Sequence, residues 1–187
     1  MNNTNNSINI NKVQTPRSLA TQRYTAARHN LLLMTGFTVI NIALLIFNSN
    51  TMFLFSATVP YMSAVYAQQF MSMPAVAAVK CVLSAVCIGV VFVSLAAYLL
   101  CWFMSKKHYG WMIVALVLFG IDTLAMAALY LIFGDFSGIA DALVHAWVLY
   151  YLVLGVINGY KLRKMPDDPQ EILSDPAYDT KDANIPS

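Results

Sequence analysis

The sequence predicts an all-α membrane protein: a four-transmembrane-helix bundle with an external re-entrant or interfacial segment. Three observations lead there. Of 187 residues, 59% are hydrophobic and 11% charged, where a soluble domain carries about 25% charged residues. The apolar residues gather into blocks longer than a strand or the buried face of a globular helix. The basic residues between the blocks fall where one side of a membrane would collect them.

Four blocks, residues 31–47, 75–104, 110–133 and 139–160, are long enough at 1.5 Å per helical residue to cross about 30 Å of hydrocarbon. The first is near the lower limit, and the second is longer than needed and should tilt or project. A fifth apolar stretch, residues 51–70, is interrupted by Pro60 and small polar residues. With four spans, the segment up to Arg28, the loop Lys106-Lys107-His108 and the group Lys161, Arg163 and Lys164 share one side, which the positive-inside rule makes the cytoplasm. A fifth span would put the N-terminal basic group opposite Lys106 and Lys107. Residues 51–70 are therefore expected outside, as a re-entrant turn, an interfacial helix or an apolar loop packed on the span ends. Their Phe, Tyr and Met residues suit the interface, and a helix broken at membrane depth near Pro60 would need its backbone covered by protein or a wet cavity.

The chain thus divides into an Asn-rich cytoplasmic tail (1–22), a transmembrane domain (23–164) and a second cytoplasmic tail (165–187) with four prolines and six acidic residues after Met165. Both tails lack the apolar content to offset ordering entropy and are expected to be disordered. The first span is expected to remain as an uncleaved anchor. Anionic lipid at the cytoplasmic face is an expected partner, because a juxtamembrane Lys or Arg gains about 1 kcal/mol there.

Several function classes drop out. The net charge of +2 and the lack of aromatic-interleaved basic runs exclude a nucleic-acid binder. Cys81, Cys87 and Cys101 form no Cys-x-x-Cys, so no disulfide framework, zinc site or thiol redox centre is indicated. Gly-x-Ser-x-Gly, His-Glu-x-x-His and phosphate-binding Gly-rich loops are absent. With only His145 of three histidines inside a span, one protomer cannot supply a bis-histidine haem. No catalytic residue, cofactor or metal is expected, and the chain is not expected to be an enzyme.

The informative residues are the polar ones inside the spans: Lys80, Asp122, Asp141, His145 and Asn41. A charge at the bilayer centre costs roughly 2.5–3.5 kcal/mol on insertion scales and asks for a partner, a cavity or neutralisation. Counted inward from the outer span ends, Asp141 lies about 3 Å deep, Lys80 about 8 Å, His145 about 9 Å and Asp122 about 16 Å. Asp141 and His145 are four apart and share a helix face. An external-facing cluster of Lys80, Asp141 and His145 is expected, with Asp122 beneath it and Asn41 at mid-depth. It would serve as a proton or ion relay, or as a polar pocket. The alternative is structural: Lys80 snorkels, Asp141 caps its helix, His145 bonds a neighbour and Asp122 joins helices. Thr35, Thr38 and Asn41 form a polar stripe read as glue between helices. Gly155-x-x-x-Gly159 and Ala85-x-x-x-Gly89 fit the small-residue pattern of closely packed membrane helices.

Residues 28–61, RHNLLLMTGFTVINIALLIFNSNTMFLFSATVPY, carry an Arg-His-Asn entry, an Asn within the first span and a Phe-Leu-Phe-Ser-Ala-x-x-Pro-Tyr segment. This resembles a pattern in small bacterial multi-pass integral membrane proteins of unassigned function. The resemblance implies a bacterial inner membrane and a defined element within 51–70, and implies no activity. The expected function is that of a non-enzymatic accessory or structural subunit of a membrane complex, partnered by a second copy or another membrane protein. The rival is a small oligomeric transporter or channel coupled through the polar cluster.

Overall fold

A computed structural model describes residues 15–49, 56–133 and 139–166. Among the described residues the chain forms five helices: α1 (Pro16–Ile46), α2 (Thr58–Ser72), α3 (Ala77–Met104), α4 (Gly110–Phe133) and α5 (Ile139–Lys164). All but α2 are long and apolar enough to cross a membrane. The protein is an all-α, multi-pass membrane bundle. α1 packs chiefly on α5 and α2 chiefly on α3, while α4 touches α5, α3 and α2.

α1 starts well before its apolar block. Residues 16–22, expected in a disordered tail, are helical because local chemistry closes the helix start. The Thr15 hydroxyl accepts from the Ser18 amide at 3.1 Å, and Pro16 occupies the first turn, where a missing N–H costs nothing. Arg17 then ties this turn to the end of α5, donating to the carbonyls of Met165 and Pro166 at 3.0 and 3.1 Å. The expected disorder of residues 1–14 and 167–187 lies outside the described residues. α1 ends as a Schellman motif: Asn48 takes a left-handed φ of 51°, its amide bonds the Leu45 carbonyl, and the Ser49 amide bonds that of Leu44.

The fifth apolar stretch is where α2 forms. Pro60 does not break a helix there. It lies in the first turn of α2, which begins inside the bundle beside Thr38 and Asp122 and runs back to the end where α1 stops. Thr38 is eight residues before the end of α1, and Asp122 eleven before the end of α4. At 1.5 Å per residue the start of α2 is thus about 12–16 Å deep. α2 is a re-entrant helix. It packs along α3 in this half, with the Ser84 hydroxyl donating to the Ala67 carbonyl at 2.7 Å. In the other half α3 meets α1 directly: the Tyr24 hydroxyl donates to the Ser105 carbonyl at 2.6 Å, and Arg28 donates to the Ser105 hydroxyl and the Trp102 carbonyl.

The surface is apolar and much of the interior polar. Phe92, Leu124 and Leu143 are each about 70% exposed, while Thr38, Asn41, Asp122, His145 and Asn158 are buried. Burial still follows helix packing. Met112, Ala115, Phe119, Asp122 and Met126 on α4, and His145, Val148, Leu152, Gly155 and Gly159 on α5, alternate steps of three and four residues, the spacing of a left-handed bundle. Tyr98 and Cys101 join Leu31, Met34, Met112, Phe119 and Leu152 in an apolar core.

The two small-residue patterns separate. A Cβ on Gly155 would lie 2.7 Å from the Ala27 Cβ, and one on Gly159 would lie 2.9 Å from the Tyr24 ring, so both glycines set the approach of α1 to α5. A Cβ on Gly89 would meet nothing within 4 Å. Gly155→Ala is therefore expected to cost about 1–3 kcal/mol, since the opposing Ala27 methyl cannot rotate away. Gly89→Ala should change stability by less than about 0.5 kcal/mol. Thermal unfolding of both variants in one detergent checks the contrast.

Candidate functional site

The polar residues meet where α2 begins. A helix start leaves its first four amides without intrahelical acceptors, and in a membrane interior they find no water. The N-cap residue here is Ala57, which has no side-chain acceptor. The acceptors come from other helices. The Ala57 amide donates to the Thr38 hydroxyl of α1 at 2.8 Å, the Thr58 amide to Asp122 Oδ2 of α4 at 2.9 Å, and the Val59 amide to Asp122 Oδ1 at 2.7 Å. Pro60 has no N–H, so every group of that turn is accounted for. Thr38 uses its own proton on the Met34 carbonyl at 2.8 Å. The Asp122 carboxylate faces the positive end of the α2 dipole, its favoured position.

His145 of α5 completes the site. Its Nε2 lies 3.3 Å from Asp122 Oδ2 and 3.2 Å from the Thr58 hydroxyl, and its Nδ1 lies 3.0 Å from the Asp141 carbonyl. Both ring nitrogens thus face acceptors, the pattern of a doubly protonated ring. Phe119 stacks on the imidazole at 5.1 Å between centroids and 10° between planes. The Asp141 carboxylate is one step outward, with Oδ1 at 3.5 Å from His145 Nδ1 and Oδ2 accepting from Tyr130 at 3.4 Å.

The expected cluster therefore forms in part. Asp122, His145 and Asp141 come together in the predicted depth order. Lys80 does not join them: it sits in the first turn of α3, and among the described residues no hydrogen bond or ion pair links it to Asp141 or His145. α2, packed along α3, takes the place a direct α3–α5 contact would need. Asn41 is buried on α1, one turn beyond Thr38 on the same face. Residues 134–138 lie outside the described residues, and Asp141 does not take the cap position expected in the structural alternative: it sits inside the first turn of α5, which already runs from Ile139. Thr58, Phe119 and Tyr130 are additions that sequence reasoning missed. Pro60 was the available signal, because a proline in an apolar run suits a first turn as well as a break.

Fold and site together define a multi-pass membrane protein in which a re-entrant helix is anchored by a buried carboxylate–imidazole pair. Compared with protein-family models, curated proteins and solved structures, the chain matches none.

Asp122→Asn keeps one acceptor but turns an NH2 toward a backbone amide, and is expected to cost about 1–3 kcal/mol. Thr38→Val, nearly the same volume, should cost a similar amount by stranding the Ala57 amide. Asp122→Asn and His145→Gln should be non-additive by about 1–3 kcal/mol in a double-mutant cycle. Unfolding midpoints supply the energies, and faster amide exchange over residues 56–72 in each variant would localise the damage to α2.

Proposed function

We propose that the chain is a non-enzymatic integral membrane protein, an accessory or structural subunit of a complex in the cytoplasmic membrane of a bacterium. The observation that carries this reading is how the Asp122 oxygens are occupied. Both accept from backbone amides of α2, groups that do not titrate, and one also faces His145 in a pocket where Asp122 is 2% and His145 0% exposed. A coupling carboxylate must take up and release a proton during turnover, and here each protonation would loosen the start of α2. The polar centre is better suited to holding the fold than to carrying charge.

Both termini belong in the cytoplasm on this reading. Arg17, Arg23, Arg28, Lys106, Lys107, Lys161, Arg163 and Lys164 gather at one end of the bundle, and Lys80 alone of the described Lys and Arg residues lies toward the other, the asymmetry that favours a cytoplasmic basic end.

Two measurements test the proposal. Proteoliposomes carrying the protein are expected to dissipate an imposed proton gradient no faster than empty liposomes. The double variant Asp122→Asn/His145→Gln should rescue any deletion phenotype in proportion to its abundance in the membrane. A proton flux that the double variant abolishes at normal abundance would make the transporter reading correct instead. For orientation, in a chain whose native cysteines are replaced, Gln69→Cys should react with an impermeant thiol reagent in intact cells and Lys107→Cys only after permeabilisation. The reverse pattern would invert the topology.

A further inference from the structure

The opposite end of the bundle from α2 holds an open cavity of about 840 Å³, lined among others by Arg17, Lys106, Lys107, His108, Tyr109 and Arg163. Four of these six carry a fixed positive charge. The described carboxylates, Asp122 and Asp141, belong to the anchored-helix site, so among the described residues no acidic side chain faces the cavity.

Two simpler uses for these charges do not account for them. Cations often neutralise helix C-termini, but α1 and α4 begin at this end while α3 and α5 finish there, so the helix dipoles oppose one another. The free carbonyls at the end of α3 are bonded by Tyr24 and Arg28, and Arg28 does not line the cavity. Nor are all the cations loose surface charges. Arg163 lies over the Tyr109 ring at 5.8 Å and donates to its hydroxyl at 3.4 Å, and Lys106 lies over Trp102 at 5.0 Å. These partners are uncharged: they fix the position of each cation without cancelling its charge. Lys107 and His108 are exposed at the rim.

We infer that this cavity binds a phosphate-bearing anion. Arg163, Lys106, Lys107 and Tyr109 line one opening; guanidinium, ammonium and phenol groups are donors of the kind that engage phosphate oxygens, and basic pockets between membrane helices hold anionic headgroups. The same chemistry fits a phospholipid headgroup or a soluble phosphate. The inference goes beyond the structural role proposed above and does not depend on it, since no residue is shared between the two sites.

The test uses the full chain in neutral detergent. Phosphatidylglycerol and phosphatidylcholine are titrated separately by native mass spectrometry, and inorganic pyrophosphate by calorimetry. Phosphatidylglycerol is expected to bind more tightly than phosphatidylcholine if the source is a lipid, and pyrophosphate to bind if it is soluble; either result supports the site. Arg163→Gln and Lys107→Gln should each weaken binding about fivefold. Lys161→Gln, which removes the same charge at the same end but outside the cavity, should weaken it by roughly twofold or less. Lys107 is exposed, and among the described residues its side chain makes no hydrogen bond, ion pair or ring contact, so its variant remains informative if Arg163→Gln fails to fold. Equal losses in all three variants would reduce the cavity to diffuse surface charge and overturn the inference, as would failure of both anionic probes to bind. Binding seen only after truncation at Pro166 would assign the cavity to the chain's own acidic residues 167–187, and would also overturn it.

Discussion

The carboxylate of Asp122 accepts from two consecutive backbone amides at the start of a helix that begins about midway through the bundle, and most of the molecule is arranged to make that possible. A helix starting in an apolar medium carries unpaired amides that cost several kcal/mol each. Serine or asparagine at the N-cap would satisfy one of them. This chain has alanine there and brings acceptors from α1 and α4, so the three helices cannot separate without exposing the turn. A carboxylate is suited to the task because it has no proton of its own to place and can take both amides at once. A third partner comes from α5, where His145 Nε2 lies 3.3 Å from Asp122 Oδ2. One turn of backbone thereby couples α1, α2, α4 and α5.

Much of this was legible in the sequence, for an identifiable reason. Apolar length reports directly on the membrane, so the four spans follow from it. Depth along a helix is arithmetic, so Asp122, Asp141 and His145 fell in the right order. The rest was not legible because it depends on which helix stands beside which. Lys80 and His145 share a level, but nothing in their positions says that a re-entrant helix will pack along α3. The partners of Asp122 are main-chain amides, which have no signature in a sequence. Residues 16–22 look like tail because they are polar, whereas their helicity comes from Thr15, Pro16 and the bonds from Arg17 to the end of α5.

Hydrophobic periodicity failed for a related reason. In water the 3.6-residue pattern separates a buried apolar face from a wet polar one. In lipid both faces are apolar, and the pattern that survives marks small and polar residues instead. Gly155 and Gly159 permit α1 to approach α5, and Thr38, Asp122 and His145 sit at the same step of three and four as the buried leucines and methionines around them. Polar residues at core positions, an error in a soluble bundle, are here the best guide to which faces touch.

The two ends of the molecule treat charge in opposite ways, and the difference follows from access to water. At the α2 end, Asp122 and His145 lie deep and face each other, with Asp141 one step outward beside Tyr130 and His145. At the basic end, Lys106 and Arg163 rest on aromatic rings that steady them and leave their charge intact. Water makes such unmatched charge tolerable there, and the same exposure lets a mobile anion reach it. A buried pair that holds backbone and an open ring of cations that lacks a described counter-charge are thus two responses to one constraint. The first fixes structure because its partners cannot leave, and the second, which no acidic side chain faces among the described residues, is open to a partner from outside.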